Sequence, residues 1–102
     1  MANVDYDALN RQYYEQFKSG SVQALEAMIE LNRPLAMKYA NRFFRAAQRE
    51  YRPSIDREDA EQLALIGLWE AILAWDPERG GLSQLIIWKA KNQLASIFKT
   101  NM

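Results

Sequence analysis

Apolar residues recur along this chain at helical spacing in consecutive blocks, and no alternation of period two persists long enough to make a strand. The first block, residues 5–18, carries Leu9, Tyr13, Tyr14 and Phe17 on one side and stops at Ser19-Gly20, a C-terminal signal. That aromatic stripe is most simply core. Ser21 offers an N-cap for the second block, residues 22–32, where Leu25, Met28, Ile29 and Leu31 supply the buried side. Pro34 predicts a kink or a helix restart, because it lacks an N–H and its ring crowds the preceding turn. The pattern resumes over residues 35–51, and Pro53 marks a loop over 51–55. Asp56 then caps a helix running to Trp75, whose first turns hold Glu58, Asp59 and Glu61 against the positive end of the helix dipole. A last helix is predicted over residues 83–99. The predicted fold class is all-α: one compact bundle of about four helices, with residues 1–20 an N-terminal helix and 21–102 the main helical domain.

The run Asp76-Pro77-Glu78-Arg79-Gly80-Gly81-Leu82 separates the last two helices. Pro77 steers Asp76 away from helical angles, and the paired glycines accept backbone angles that other residues resist. One helix therefore ends near Trp75 and the next begins near Leu82 or Ser83. Acid gathers before this turn and base after it: no acid follows Glu78, so Arg79, Lys89, Lys91 and Lys99 are unopposed.

A chain of 102 residues buries a core without a metal or a disulfide. With no Cys and no His, a disulfide framework, a Cys/His zinc site and imidazole or thiol catalysis are all excluded. No metal and no cofactor is expected, and the chain does not read as an enzyme. No apolar run approaches the roughly 20 residues that span a bilayer. The start, with Asp5 and Asp7, lacks the basic region and apolar core of a signal peptide, so a cytoplasmic protein without membrane contact is expected. Thirteen basic and thirteen acidic residues cancel formally, yet they sort onto different surfaces.

Three faces stand out. Lys38, Arg42, Arg45 and Arg49 recur at steps of four, three and four, with no acid between Arg33 and Arg49. They form either a solvated face or a grip on phosphates. On the third helix a wheel places Leu65, Leu68, Trp69, Ile72 and Trp75 on a broad core side, and Asp59, Gln62, Leu63, Ile66, Glu70 and Leu73 on another. That second side either docks a partner helix or widens the core. On the last helix Leu82, Ile86, Ala90, Leu94 and Ile97 share one face, while Trp88 falls nearly opposite among Gln84, Lys91, Asn92, Ala95 and Lys99. A Trp among cations and amides is either a stacking platform for bases or a contact with a neighbouring helix.

These residues carry a resemblance to region 2 of the sigma-seventy family of bacterial RNA polymerase sigma factors, nearest the short extracytoplasmic-function type, over residues 19–99. Ala24-Leu25-Glu26-Ala27-Met28-Ile29-Glu30 and Asn32-Arg33-Pro34-Leu35-Ala36-Met37-Lys38-Tyr39-Ala40 resemble that region's first helical pieces. Glu58-Asp59-Ala60-Glu61-Gln62 is similar to the segment that docks on the polymerase clamp coiled coil. Asp76-Pro77-Glu78-Arg79-Gly80 resembles the loop before the promoter-melting helix, and Ile87-Trp88-Lys89-Ala90-Lys91-Asn92-Gln93-Leu94 resembles that helix. Leu63 stands where an acid usually follows the Gln, and Trp88-Lys89 replaces the paired aromatics of housekeeping members.

The resemblance implies a transcription initiation factor domain that binds core RNA polymerase and captures unpaired non-template DNA at the promoter −10 region, without chemistry of its own. Asp59, Gln62, Leu63, Ile66 and Glu70 are then the polymerase-binding residues. Lys38, Arg42, Arg45, Arg49, Arg79, Gln84, Trp88, Lys91, Asn92 and Lys99 are the DNA-binding ones. It also implies a cytoplasmic, nucleoid-associated location. The chain ends without the family's distal-promoter domain, so it is expected to be either a fragment or a stand-alone sigma-like protein of the kind a phage or mobile element encodes. Two alternatives stay open: a sigma mimic that occupies the clamp and blocks or redirects host transcription, and a helical scaffold or oligomerisation module with Trp88 in a self-interface.

Overall fold

Short polar side chains set the starts of the first three helices. In the computed structural model, which describes the backbone of residues 5–50 and 56–100 and the side chains of 5–49 and 56–96, α1 spans Tyr6–Lys18, α2 Val22–Glu50, α3 Arg57–Ala74 and α4 Leu82–Thr100. The Ala8 amide donates to Asp5 Oδ1 at 3.0 Å, the Ala24 amide to Ser21 Oγ at 3.1 Å and the Glu58 amide to Asp56 Oδ1 at 3.2 Å. Each satisfies one of the first-turn donors that a helix leaves orphaned. Gly20, at φ 108°, takes the left-handed angle that ends α1. Among the described residues there is no strand, and no helix is long and apolar enough to cross a membrane.

No helix restart occurs at Pro34: α2 runs through it for 29 residues. An interior proline costs roughly 3 kcal/mol. Against that, Ala24, Met28, Asn32, Ala36, Ala40 and Ala47 form one buried line on both sides of it, so a single continuous face is packed and a break would uncover half of it. α2 lies against α1, α3 and α4 together.

The wheel for α3 places Leu68, Ile72 and Trp75 in the core as observed, but it misplaces Trp69. The buried line is Ala60, Ala64, Gly67, Leu68, Ala71 and Ile72, continued by Trp75 at the C-cap, whereas Trp69 is 44% exposed and Leu65 only partly buried. Because α3 is pressed between α2 and α4, Ala60, Ala64, Gly67 and Ala71 share its buried face with Leu68 and Ile72, and Trp69 stands at the rim. α3 and α4 come close at Gly67, where a Cβ would lie 2.7 Å from the Ala90 Cα and backbone N of α4. On α4, Leu82, Ile86, Ala90 and Leu94 are buried as the pattern predicts; Ile97 lies outside the described side chains.

The α1 stripe joins the core only in part, Tyr13 and Tyr14 packing against it. Leu9, Tyr13, Tyr14 and Phe17 are only partly buried, and the side chain that α1 buries is Asn10. A lone helix laid across the bundle keeps one side of each large aromatic in water. Asn32 Nδ2 donates to Asn10 Oδ1 at 2.7 Å and to the Met28 carbonyl at 2.7 Å, and Asn10 Nδ2 returns a bond to Asn32 Oδ1 at 3.4 Å. Such a buried amide pair favours one register of α1 on α2, since a slide would strand both amides away from water.

The turn after α3 closes on itself. Trp75 leaves the helix in an extended conformation, the Arg79 amide donates to the Asp76 carbonyl at 2.9 Å, and the Glu78 amide donates to Asp76 Oδ1 at 3.0 Å. Trp75 Nε1 donates to the Gly80 carbonyl at 2.8 Å. Gly80 adopts a positive φ of 155°; Gly81 does not use the left-handed region.

Candidate nucleic-acid interface

Trp88 stands outside the bundle because α4 spends its inner face on Leu82, Ile86, Ala90 and Leu94, which leaves the position two residues past Ile86 on the far side. It is 58% exposed, with the Lys89 ammonium 5.3 Å from its ring centroid. The ring borders a groove of about 340 Å³ whose other walls are Ala74, Trp75, Asp76, Arg79, Gly80, Gly81, Gln84 and Leu85. That volume lies at the low end of the roughly 300–1,000 Å³ typical of small-molecule sites. Arg79 pairs loosely with Asp76 at 3.6 Å and keeps its side chain 89% exposed. Exposed pairs of this kind contribute little, so the guanidinium stays available.

Lys91 and Asn92 are exposed on the same helix, but the Lys91 ammonium turns away from Trp88. It sits 5.3 Å from the Tyr39 ring centroid, and the Arg42 guanidinium sits 5.4 Å from the same ring. Tyr39, Arg42, Phe43, Lys91, Leu94 and Ala95 line a second groove, between α2 and α4, of about 360 Å³. Tyr39 was not singled out in the sequence, because in a single-helix wheel it is one more half-buried aromatic; only the crossing of α2 and α4 brings two cations over it.

Lys38, Arg42, Arg45 and Arg49 are all exposed along α2, and among the described residues none is paired with a carboxylate. Lys38 lies apart from the other two grooves, beside Tyr6, Leu31, Pro34, Leu35 and Ser83. Lys99 lies outside the described side chains.

On α3, Asp59, Gln62 and Ile66 are exposed, while Leu63 is partly buried against the core. Glu70 is half-buried and accepts from Gln93 Nε2 of α4 at 2.6 Å, so its carboxylate is already engaged within the fold. Ile66, Trp69 and Leu73, exposed by 47%, 44% and 62%, make a continuous apolar strip along the same side. Trp69 belongs to this strip, and its assignment to the core hid that. Among the described residues no cluster of His, Cys, Asp and Glu is arranged to hold a metal.

No curated protein and no solved structure matches the chain. The Sigma-70 region 2 family model matches residues 28–101. Those residues take in the cationic stretch of α2, all of α3, the turn and α4, and hence both outward faces described above. The chain therefore belongs to the sigma-70 family as a region 2 domain.

Proposed function

We infer that this chain, like region 2 domains of its family, binds core RNA polymerase and recognises the promoter −10 region as a non-enzymatic part of transcription initiation. We propose that this chain does so with two separate faces. The strip Ile66, Trp69 and Leu73, flanked by Asp59 and Gln62, docks on the clamp coiled coil of the polymerase, with Leu63 supporting it from beneath and Glu70 fixed by Gln93 at its edge. The opposite service falls to α4: Trp88 stacks on an unpaired base of the non-template strand, Gln84 and Asn92 hydrogen-bond nearby base edges, and Arg79 and Lys91 hold phosphates. Lys38, Arg42, Arg45 and Arg49 grip the backbone without reading sequence. The protein then works wherever polymerase and nucleoid are, in the cytoplasm.

The observation that carries this reading is Trp88, 58% exposed and forming one wall of a groove that also holds Arg79 and Gln84. A large aromatic left in water beside cations gains most by stacking on a flat partner. The test uses the whole chain with core polymerase. The chain should be retained by the polymerase, and the complex should hold a forked promoter DNA more tightly than the same sequence as closed duplex. Retention without any preference for forked DNA would favour a mimic that occupies the clamp. No retention at all would favour a helical scaffold.

A further inference from the structure

α1 lies before the matched region, yet two of its side chains reach the turn that walls the Trp88 groove. Arg11 Nη1 donates to the Pro77 carbonyl at 2.8 Å, across 66 residues of sequence, and the Tyr14 hydroxyl donates to the Trp75 carbonyl at 3.0 Å. The same two residues contact the Trp75 ring: the Arg11 guanidinium lies 5.6 Å from its centroid, and the Tyr14 ring meets it edge-on at 5.0 Å. Asp7 holds Arg11 in place through Nε at 2.9 Å.

These contacts fall at the C-terminal end of α3. Its last turn carries no basic residue, and Trp75 departs in an extended conformation, so the carbonyls beyond the helix end have no intrahelical partner. Arg11 supplies both a donor and a positive charge at that negative end, and Tyr14 supplies a second donor. Trp75 passes the constraint on, because its Nε1 is bonded to the Gly80 carbonyl and its ring walls the groove with Trp88. The buried Asn10 and Asn32 pair holds α1 in register, and with it the spacing of Arg11 and Tyr14.

We propose that α1 is a clasp that fixes the turn after α3 in the position the Trp88 groove needs, with Arg11 and Tyr14 as positioning residues for DNA capture. The proposal rests on the reading that this groove takes an unpaired base. Losing two hydrogen bonds that hold one wall should weaken forked-DNA binding by about five- to tenfold. Polymerase binding through α3 should not change.

The experiment compares the wild-type chain, Tyr14→Phe, Arg11→Gln with Tyr14→Phe, and Trp88→Ala. It measures amide exchange at Glu78 and Arg79, affinity for core polymerase, and affinity of the complex for forked DNA. Tyr14→Phe removes one oxygen and keeps the ring, so it remains informative if the double variant folds poorly. The proposal expects faster exchange confined to Glu78 and Arg79, weaker forked-DNA binding and unchanged polymerase affinity. Unchanged exchange overturns it, and so does full forked-DNA affinity in the clasp variants when Trp88→Ala has lost its own. If Trp88→Ala binds forked DNA like wild type, the groove reading fails, and the clasp loses its role in capture with it.

Discussion

The three tryptophans of this chain sit in three different surroundings. Trp75, 4% exposed, fills the end of the core and is bonded through Nε1 to Gly80. Trp69 on α3 and Trp88 on α4 face outward, 44% and 58% exposed. Trp75→Ala should therefore cost about 3–5 kcal/mol, a large share of the roughly 5–15 kcal/mol that holds a domain together. Thermal unfolding followed by circular dichroism should move down by more than about 12 °C; an unchanged midpoint would mean that Trp75 is not a core residue. The outward position of Trp88 was legible in the sequence because α4 has a clear apolar stripe on the other side. That of Trp69 was not. On α3 alanines and a glycine take up much of the buried face beside Leu68 and Ile72, and a wheel weighted by large residues draws Trp69 into the core.

At the scale of the helices, the caps at Ser21 and Asp56 were readable because they depend on local hydrogen bonds, and the cap at Asp5 is of the same kind. Pro34 and Gly67 were not, because both are decided by neighbours distant in sequence. Pro34 is tolerated by a packed line along α2, and Gly67 is required by the backbone of Ala90. Gly67→Ala tests the second point with two opposed effects. Helix propensity favours alanine by up to about 1 kcal/mol, while a Cβ placed 2.7 Å from the Ala90 backbone must push α3 and α4 apart. Overpacking of this kind costs about 1–3 kcal/mol, and here the obstacle is backbone that cannot rotate aside. The variant should melt lower than wild type, by roughly 4 °C or more. A variant as stable as wild type would show that the two helices are not in close contact there.

Across the whole molecule, the sequence separated an acidic and apolar face on α3 from cationic faces on α2 and α4, and the fold keeps them apart. What it could not show was how the cations divide. Lys91 joins Arg42 over Tyr39 instead of joining Trp88, and Arg11 and Tyr14 reach a turn more than sixty residues away, since both depend on helix crossings that no linear spacing encodes. If the α2 cations grip phosphates, replacing Arg42 and Arg45 with Gln should weaken binding of the polymerase complex to all DNA alike. The slope of log affinity against log salt should fall by about two units. An unaltered slope would make these arginines an ordinary solvated face.

The most direct measurement is the affinity of the complex with core polymerase for forked promoter DNA, wild type against Trp88→Ala, with the unfolding midpoint of each free protein taken alongside. Stacking is worth about 1–3 kcal/mol per base, and a half-exposed side chain adds little to stability. The expected result is a folded variant with an unshifted midpoint that binds forked DNA roughly ten- to a hundredfold more weakly. The contradicting result is a folded variant that binds it as tightly as wild type, or one that melts because Trp88 was holding the fold.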